Sequence, residues 1–135
     1  MSFLLDTNVI SEWVKPRPDP HVVAWLADTD EDRTFLSAIS FAEIRLGIEL
    51  LPEGLRRRQL ALWLAEDLTA RFEGRILPVD LPVARKCAAL HVPDPLEDRD
   101  SLIAATALVH GMTVVTRNTV HFQRTGVALL NPWQH

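Results

Sequence analysis

Cysteine is almost missing from this chain. A single residue, Cys87, excludes an internal disulfide and leaves no thiolate cluster to bind a metal. Long apolar runs are missing as well: none approaches the roughly 20 residues that a helix needs to cross a bilayer. The N-terminus has neither a basic region nor a long apolar stretch, so no secretory signal is legible. The expectation is a soluble cytoplasmic protein with no membrane partner. Basic charge is also scarce. Fourteen Lys and Arg face 18 Asp and Glu, for a formal net charge of −4, which argues against sequence-independent binding of a phosphate backbone. A nucleic-acid enzyme remains open, because acids clustered round a metal ion lower the net charge while the ion restores attraction locally. The main basic concentration is Arg56-Arg57-Arg58, with Arg71 and Arg75 beyond it. It reads as a solvated helix face or as an RNA- or partner-facing patch. Repeats and low-complexity tracts are absent. So are a Gly-x-Gly-x-x-Gly after a strand and a Walker A loop, and Asp6 lacks a second acid two residues on. These gaps speak against nucleotide-binding proteins and aspartyl-phosphate phosphatases.

What the chain does have is the composition of a folded domain. Its 135 residues are 47% hydrophobic, enough for one domain over residues 1–135. Strand patterns fall at 2–5, 34–37, 75–79, 112–116 and 127–130. Helix patterns fall at 7–14, 21–27, 53–72, 81–91 and from an Asp94 cap to His110, with a turn or single helical turn at 118–122. Asp19-Pro20 caps the second helix, and Gly111 is the expected glycine after the last long one. Ser40 followed by Glu43 has capping-box spacing and predicts a helix starting there, with Phe41, Ile44, Ile48 and Leu51 toward the core. Asp94 and Glu97 repeat that spacing. Strands alternating with helices imply an α/β fold: a three-layer α/β/α sandwich, Rossmann-like, with a short, mostly parallel central sheet.

Three acids stand out by context. Asp6 closes the apolar run Phe3-Leu4-Leu5, so it projects from the C-terminal edge of a buried strand, where open α/β sheets bind ligands. Glu43 lies near the start of an amphipathic helix. Asp100 enters a helix that is apolar nearly all round. Each has a local reading, as a helix cap or a complement to the helix dipole. Taken together they would converge, and converging carboxylates repel unless a hard cation such as Mg²⁺ or Mn²⁺ neutralises them. Oxygen-only ligands do not suit zinc. In-line phosphoryl displacement is the chemistry that follows.

The segments 4–12, 40–47, 100–107 and 116–122, in that order, resemble the four motifs of PIN-domain proteins. The ending Thr125-Gly126-Val127 with Leu130-Asn131-Pro132-Trp133 is similar to the VapC/FitB-like branch. The resemblance covers essentially the whole chain. It implies the toxin of a bacterial type II toxin–antitoxin pair, a Mg²⁺-dependent endoribonuclease acting on tRNA or ribosomal RNA. Asp6, Glu43 and Asp100 map to the family's catalytic acids. Asp6 and Asp100 would carry the metal, and Glu43 would hold a water on it or a second ion. A homodimer is implied, forming a heterotetramer or larger assembly with a cognate antitoxin that alone contacts operator DNA. His121 stands where many members have a fourth acid. Thr7, Asn8, Thr116 and Asn118 read as supporting residues, Thr116 as a hydrogen-bond donor to Asp6 or Asp100. A non-catalytic PIN-like module that binds RNA or protein is the alternative.

Other residues carry weaker signals. Asp98 rivals Asp100 but lies about 200° round the helix from it. Glu12 faces the site, pairs with Arg45 or is solvated. Trp13, Trp25, Trp63 and Trp133 read as packing residues, and Cys87 as a core residue beside Val83 and Leu90. His21, His91, His110 and His135 show no metal-ligand pairing.

Overall fold

The computed structural model describes residues 1–134, so His135 lies outside the described residues. Five parallel strands form the sheet: β1 (Phe3–Leu5), β2 (Thr34–Ser37), β3 (Ile76–Leu77), β4 (Thr113–Val115) and β5 (Leu129–Leu130). Their order is β3-β2-β1-β4-β5, which puts β1 at the centre. The helices are α1 (Thr7–Ser11), α2 (Pro20–Asp28), α3 (Ala38–Glu49), α4 (Leu55–Leu62), α5 (Thr69–Arg71), α6 (Leu81–Leu90), α7 (Asp98–His110) and α8 (Thr119–Phe122). Among the described residues, no helix is long and apolar enough to cross a membrane.

Successive strand residues point to opposite faces of a sheet. Leu4 and Val114 therefore join Ile103, Ala104, Ala107 and Phe122 in one core layer. Leu5, Leu36 and Val115 join Val9, Ile10, Val22, Leu64 and Leu68 in the other. Burying both faces is what parallel strands require, and it gives the three-layer α/β/α sandwich. Each fully buried Leu or Ile contributes on the order of 1.5–3 kcal/mol relative to an exposed one. Small alanines bring α7 close to the sheet, and Gly111 ends that helix with φ 66°, a left-handed conformation that glycine tolerates best.

Several local expectations are corrected. Ser40 does not cap α3. The helix begins at Ala38, two residues after Leu36, and the hydroxyl of Ser37 accepts the Ile39 N–H at 3.0 Å. The strand ends at Ser37, so the nearer serine is the one left outside the helix to cap it. Ser40 is buried inside α3, and Glu43 belongs to its second turn. Asp94 is not a cap either. Arg124 binds the carbonyls of Asp94 and Pro95, and His91 Nδ1 accepts the Leu96 N–H, which keeps this loop out of the helix until Asp98. The helix expected over 53–72 begins at Leu55 and passes through a π-helical stretch, Trp63–Leu68, between α4 and α5. There the Thr69 hydroxyl donates to the Leu64 carbonyl five residues back. The first helix tightens to a 3₁₀ turn at Glu12–Val14.

The expected strands at 75–79, 112–116 and 127–130 are shorter, because only residues with a paired neighbour form ladder bonds. The arginine cluster is largely used by the fold: Arg56 binds the Val14 carbonyl, Arg57 pairs with Glu49, and Arg71 and Arg75 bind Glu31. Glu12 is neither solvated nor paired with Arg45. It is buried, pairs with Lys15, and accepts the Asp19 N–H at 2.8 Å, while Arg45 pairs with Glu49. Trp13, Trp25, Trp63 and Trp133 pack against the core, and Phe3 meets Trp25 edge-on. Cys87 is partly buried, 3.3 Å from the Ser101 hydroxyl.

Candidate active site

The C-terminal edge of the sheet carries the chemistry. The N–H of Asp6 still bonds the Val115 carbonyl at 2.9 Å, and that of Thr116 bonds Leu130 at 3.0 Å. The backbone is thus held in the ladder up to the residues whose side chains leave it. Asp6 is fully buried. Its Oδ1 accepts the Thr7 N–H at 2.8 Å, which caps α1, and its Oδ2 accepts the Thr116 hydroxyl at 2.8 Å. The cap and the strand-end carboxylate are therefore the same residue. Thr116 Oγ1 in turn accepts the Asn118 N–H at 3.0 Å and the Asn8 side-chain amide at 3.4 Å. Asn8 Oδ1 accepts the Arg117 N–H. Thr7 donates its hydroxyl to Glu43 Oε2 at 3.3 Å, linking α1 to α3.

Asp100 and Asp98 separate as their helical angle requires. The Asp100 side chain is 7% exposed and points into the cluster, whereas that of Asp98 is 96% exposed. His121 is more than half exposed, with Nδ1 at 3.7 Å from Asp100 Oδ2. The structure gives Asn118 a backbone role beside Thr116.

The residue that sequence reasoning missed is Arg99. Its Nη1 lies 2.8 Å from Asp6 Oδ1, its Nε 3.1 Å from Glu43 Oε2, and its Nη2 3.1 Å from Asp100 Oδ1. One guanidinium meets all three acids. A signal was available: an arginine in the first turn of a helix is disfavoured by the dipole, so Arg99 needed another partner. Burial pushes the carboxyls of Glu43 and Asp100 above their ordinary pKa; Arg99 pulls both down, and Asp6 adds to the rise. Burial works against the charge on Arg99, but the carboxylates, Asp6 foremost, hold its pKa above its ordinary value.

The cluster opens onto a cleft of about 790 Å³ lined by Pro95, Leu96, Glu97, Asp98, Arg99, Asp100, His121 and Arg124. A smaller apolar groove of about 260 Å³ runs along the other side of Glu43, past Thr7, Ile44, Gly47, Ile48, Leu60 and Trp63.

A hard divalent cation fits this donor set in chemistry. All three groups are carboxylates that already surround one cationic centre, and Asp100 Oδ1 is buried yet accepts no hydrogen bond. Among the described residues, no three His, Cys, Asp or Glu side chains stand at metal-holding spacing, and the Arg99 guanidinium lies between the three acids.

Residues 3–128 match the PIN domain family profile. The chain is 45% identical to Toxin FitB of Neisseria gonorrhoeae over 96% of its length and 97% of that protein's. It is 39% identical to VapC ribonuclease Y4jK of Sinorhizobium fredii over 97% of each. It superposes on a solved structure of FitAB bound to an IR36 DNA fragment with a TM-score of 0.93, at 43% identity, covering 98% of this chain and 96% of the other. The profile match spans the strand end and both helices that supply Asp6, Glu43 and Asp100, and on that ground the chain belongs to the PIN-domain family.

Proposed function

We propose that this chain is the toxin of a bacterial type II toxin–antitoxin pair and an endoribonuclease that hydrolyses phosphodiester bonds of tRNA or ribosomal RNA with Mg²⁺ or Mn²⁺. The observation that carries this reading is the convergence of Asp6, Glu43 and Asp100, from three separate elements, on one cationic centre at the sheet edge. Asp6 and Asp100 would hold the ion. When bound, it polarises a phosphoryl oxygen and acidifies water. Thr116 and the Thr7 N–H lock the Asp6 carboxylate in place. The Thr7 hydroxyl orients Glu43, whose raised pKa makes it a better proton acceptor than a free glutamate for the attacking group. Asn8 and Asn118 steady Thr116, and His121 stands at the mouth beside Asp100.

The inhibiting partner is a cognate antitoxin. The apolar groove beside Thr7 and Glu43 suits an apolar antitoxin segment, and Leu46 of the same helix α3 and Leu50 at its C-terminal cap are exposed. We further propose one domain, a homodimer, a heterotetramer or larger with antitoxin, operator DNA bound only through that antitoxin, and action in the cytoplasm, where the RNA is.

Purified chain with Mg²⁺ or Mn²⁺ and total RNA, followed by sequencing of new ends, tests the activity. Loss of an outer partner of a metal ligand costs about 10–100-fold, so Asp6→Asn and Asp100→Asn should each reduce cleavage by about a hundredfold or more with unchanged circular dichroism. Wild-type cleavage by either variant would reject the site. A second reading is favoured by Arg99 amid the acids and by His121 at the fourth-acid position: a PIN-like module that binds RNA or protein without cutting. Stoichiometric RNA binding with no cleavage would select it.

A further inference from the structure

The three acids are already neutralised in part, by a residue of the same chain. Arg99 reaches Asp6, Glu43 and Asp100 at 2.8, 3.1 and 3.1 Å with three different nitrogens. The dipole of its own helix does not hold it there, because a cation in the first turn opposes that dipole. The acids hold it, and they supply the point where a divalent ion would sit.

We propose that Arg99 is an internal counter-ion occupying the metal position, so that a divalent cation binds only by displacing its guanidinium. This rests on the metal-dependent reading above. Two cations cannot share one point at these distances without strong repulsion. Displacement is sterically open, since the Arg99 side chain is 30% exposed and lines the 790 Å³ cleft. Asp100 Oδ1 also favours exchange: it lies near Arg99 yet accepts no hydrogen bond, and an ion that bonds oxygen directly would satisfy it. The consequence is a weakened apparent affinity for metal. Only the fraction of molecules with Arg99 withdrawn is competent, and the apparent dissociation constant rises by the inverse of that fraction. In the metal-free state Arg99 keeps three converging carboxylates from repelling one another. It is a positioning residue for the site, not a ligand of the ion.

Mn²⁺ titration of the full chain without RNA, read by the spin-resonance signal of free Mn²⁺, tests this directly. If Arg99 is withdrawn in about a tenth of molecules or fewer, Arg99→Gln should bind Mn²⁺ about tenfold tighter or more. Arg99→Lys, which keeps the charge but loses the planar fork, should fall between the two. Thermal melts give a second readout: without metal Arg99→Gln should melt below wild type, and Mn²⁺ should raise its melting temperature by more. Equal or weaker Mn²⁺ binding by both variants would overturn the role of Arg99 and leave the three-acid metal site standing. Absence of Mn²⁺ binding in wild type and both variants would overturn the metal reading and this inference together. Asp100→Asn serves as the control and should lose binding; unchanged binding there would reject the three-acid assignment, and with it the displacement.

Discussion

Asp6 does three things at once. It ends β1, caps α1 through the Thr7 N–H, and presents a carboxylate fixed by the Thr116 hydroxyl. Thr116→Val keeps the shape of the strand end and deletes that donor, together with the acceptor of the Asn118 N–H and the Asn8 amide. Hydrogen bonds to charged groups contribute about 1.5–3 kcal/mol, so the variant should lose a comparable amount in denaturant unfolding and cleave RNA more slowly. Unchanged stability would show that the bond does not hold Asp6 in solution. Glu43 and Asp100 carry a different consequence, because burial raises both pKa values. From the ordinary carboxylate pKa, about 4, up through the raised values, the folded chain binds more protons than the unfolded one. The contribution of these groups to stability is therefore highest below that window and falls as pH rises through it. In metal-free buffer the Glu43→Gln, Asp100→Asn double variant should show a flatter decline of stability above pH ~4 than wild type. An equal or steeper decline in melting experiments would contradict the burial of these acids.

At the scale of elements, the start of α3 decides whether Glu43 is a cap or a site residue. Two serines compete, and strand pairing settles the matter: Ser37 is the last residue of β2, so the helix begins at Ala38 and Glu43 is freed from the backbone. Losing a serine cap costs about 1 kcal/mol. Ser37→Ala should cost that much in chemical denaturation. Ser40→Ala should cost little, because the buried Ser40 hydroxyl makes no hydrogen bond. The reverse order would restore the capping box at Ser40 and Glu43. The same logic applies to α7. Its register was legible, since Asp98 and Asp100 must diverge round a helix, but its start was not. The tie from Arg124 to the preceding loop comes from a residue remote from that start, and the His91 tie depends on how the end of α6 is placed.

For the whole molecule, the charge distribution limits how RNA is held. The net charge is −4, and the arginines at 56, 57, 71 and 75 are committed to internal partners. The basic groups lining the cleft are Arg99 and Arg124. Each phosphate neutralised adds about 0.7 to the salt slope for single strands, so RNA affinity should fall with a log–log slope of about 2 or less. Filter binding with the inactive Asp6→Asn variant over a salt series measures it. A slope several-fold steeper would point to a basic surface elsewhere on the protein.

The alternation of strands and helices, the placement of Asp6 at a strand end, and the order of the three acids were all legible in the sequence. They depend on local periodicity and on neighbours in the chain. Arg99 among the acids, the burial of Glu12 and the choice of Ser37 over Ser40 were not. Each is settled by groups that meet only after folding. A long arginine side chain can reach many places, and its position follows from the summed charge of three carboxylates delivered by β1, α3 and α7. The sequence alone determined the sheet, its edge and the acids that gather there; only the tertiary structure decided that the chain supplies its own cation to them, because electrostatic attraction acts across space and not along the chain.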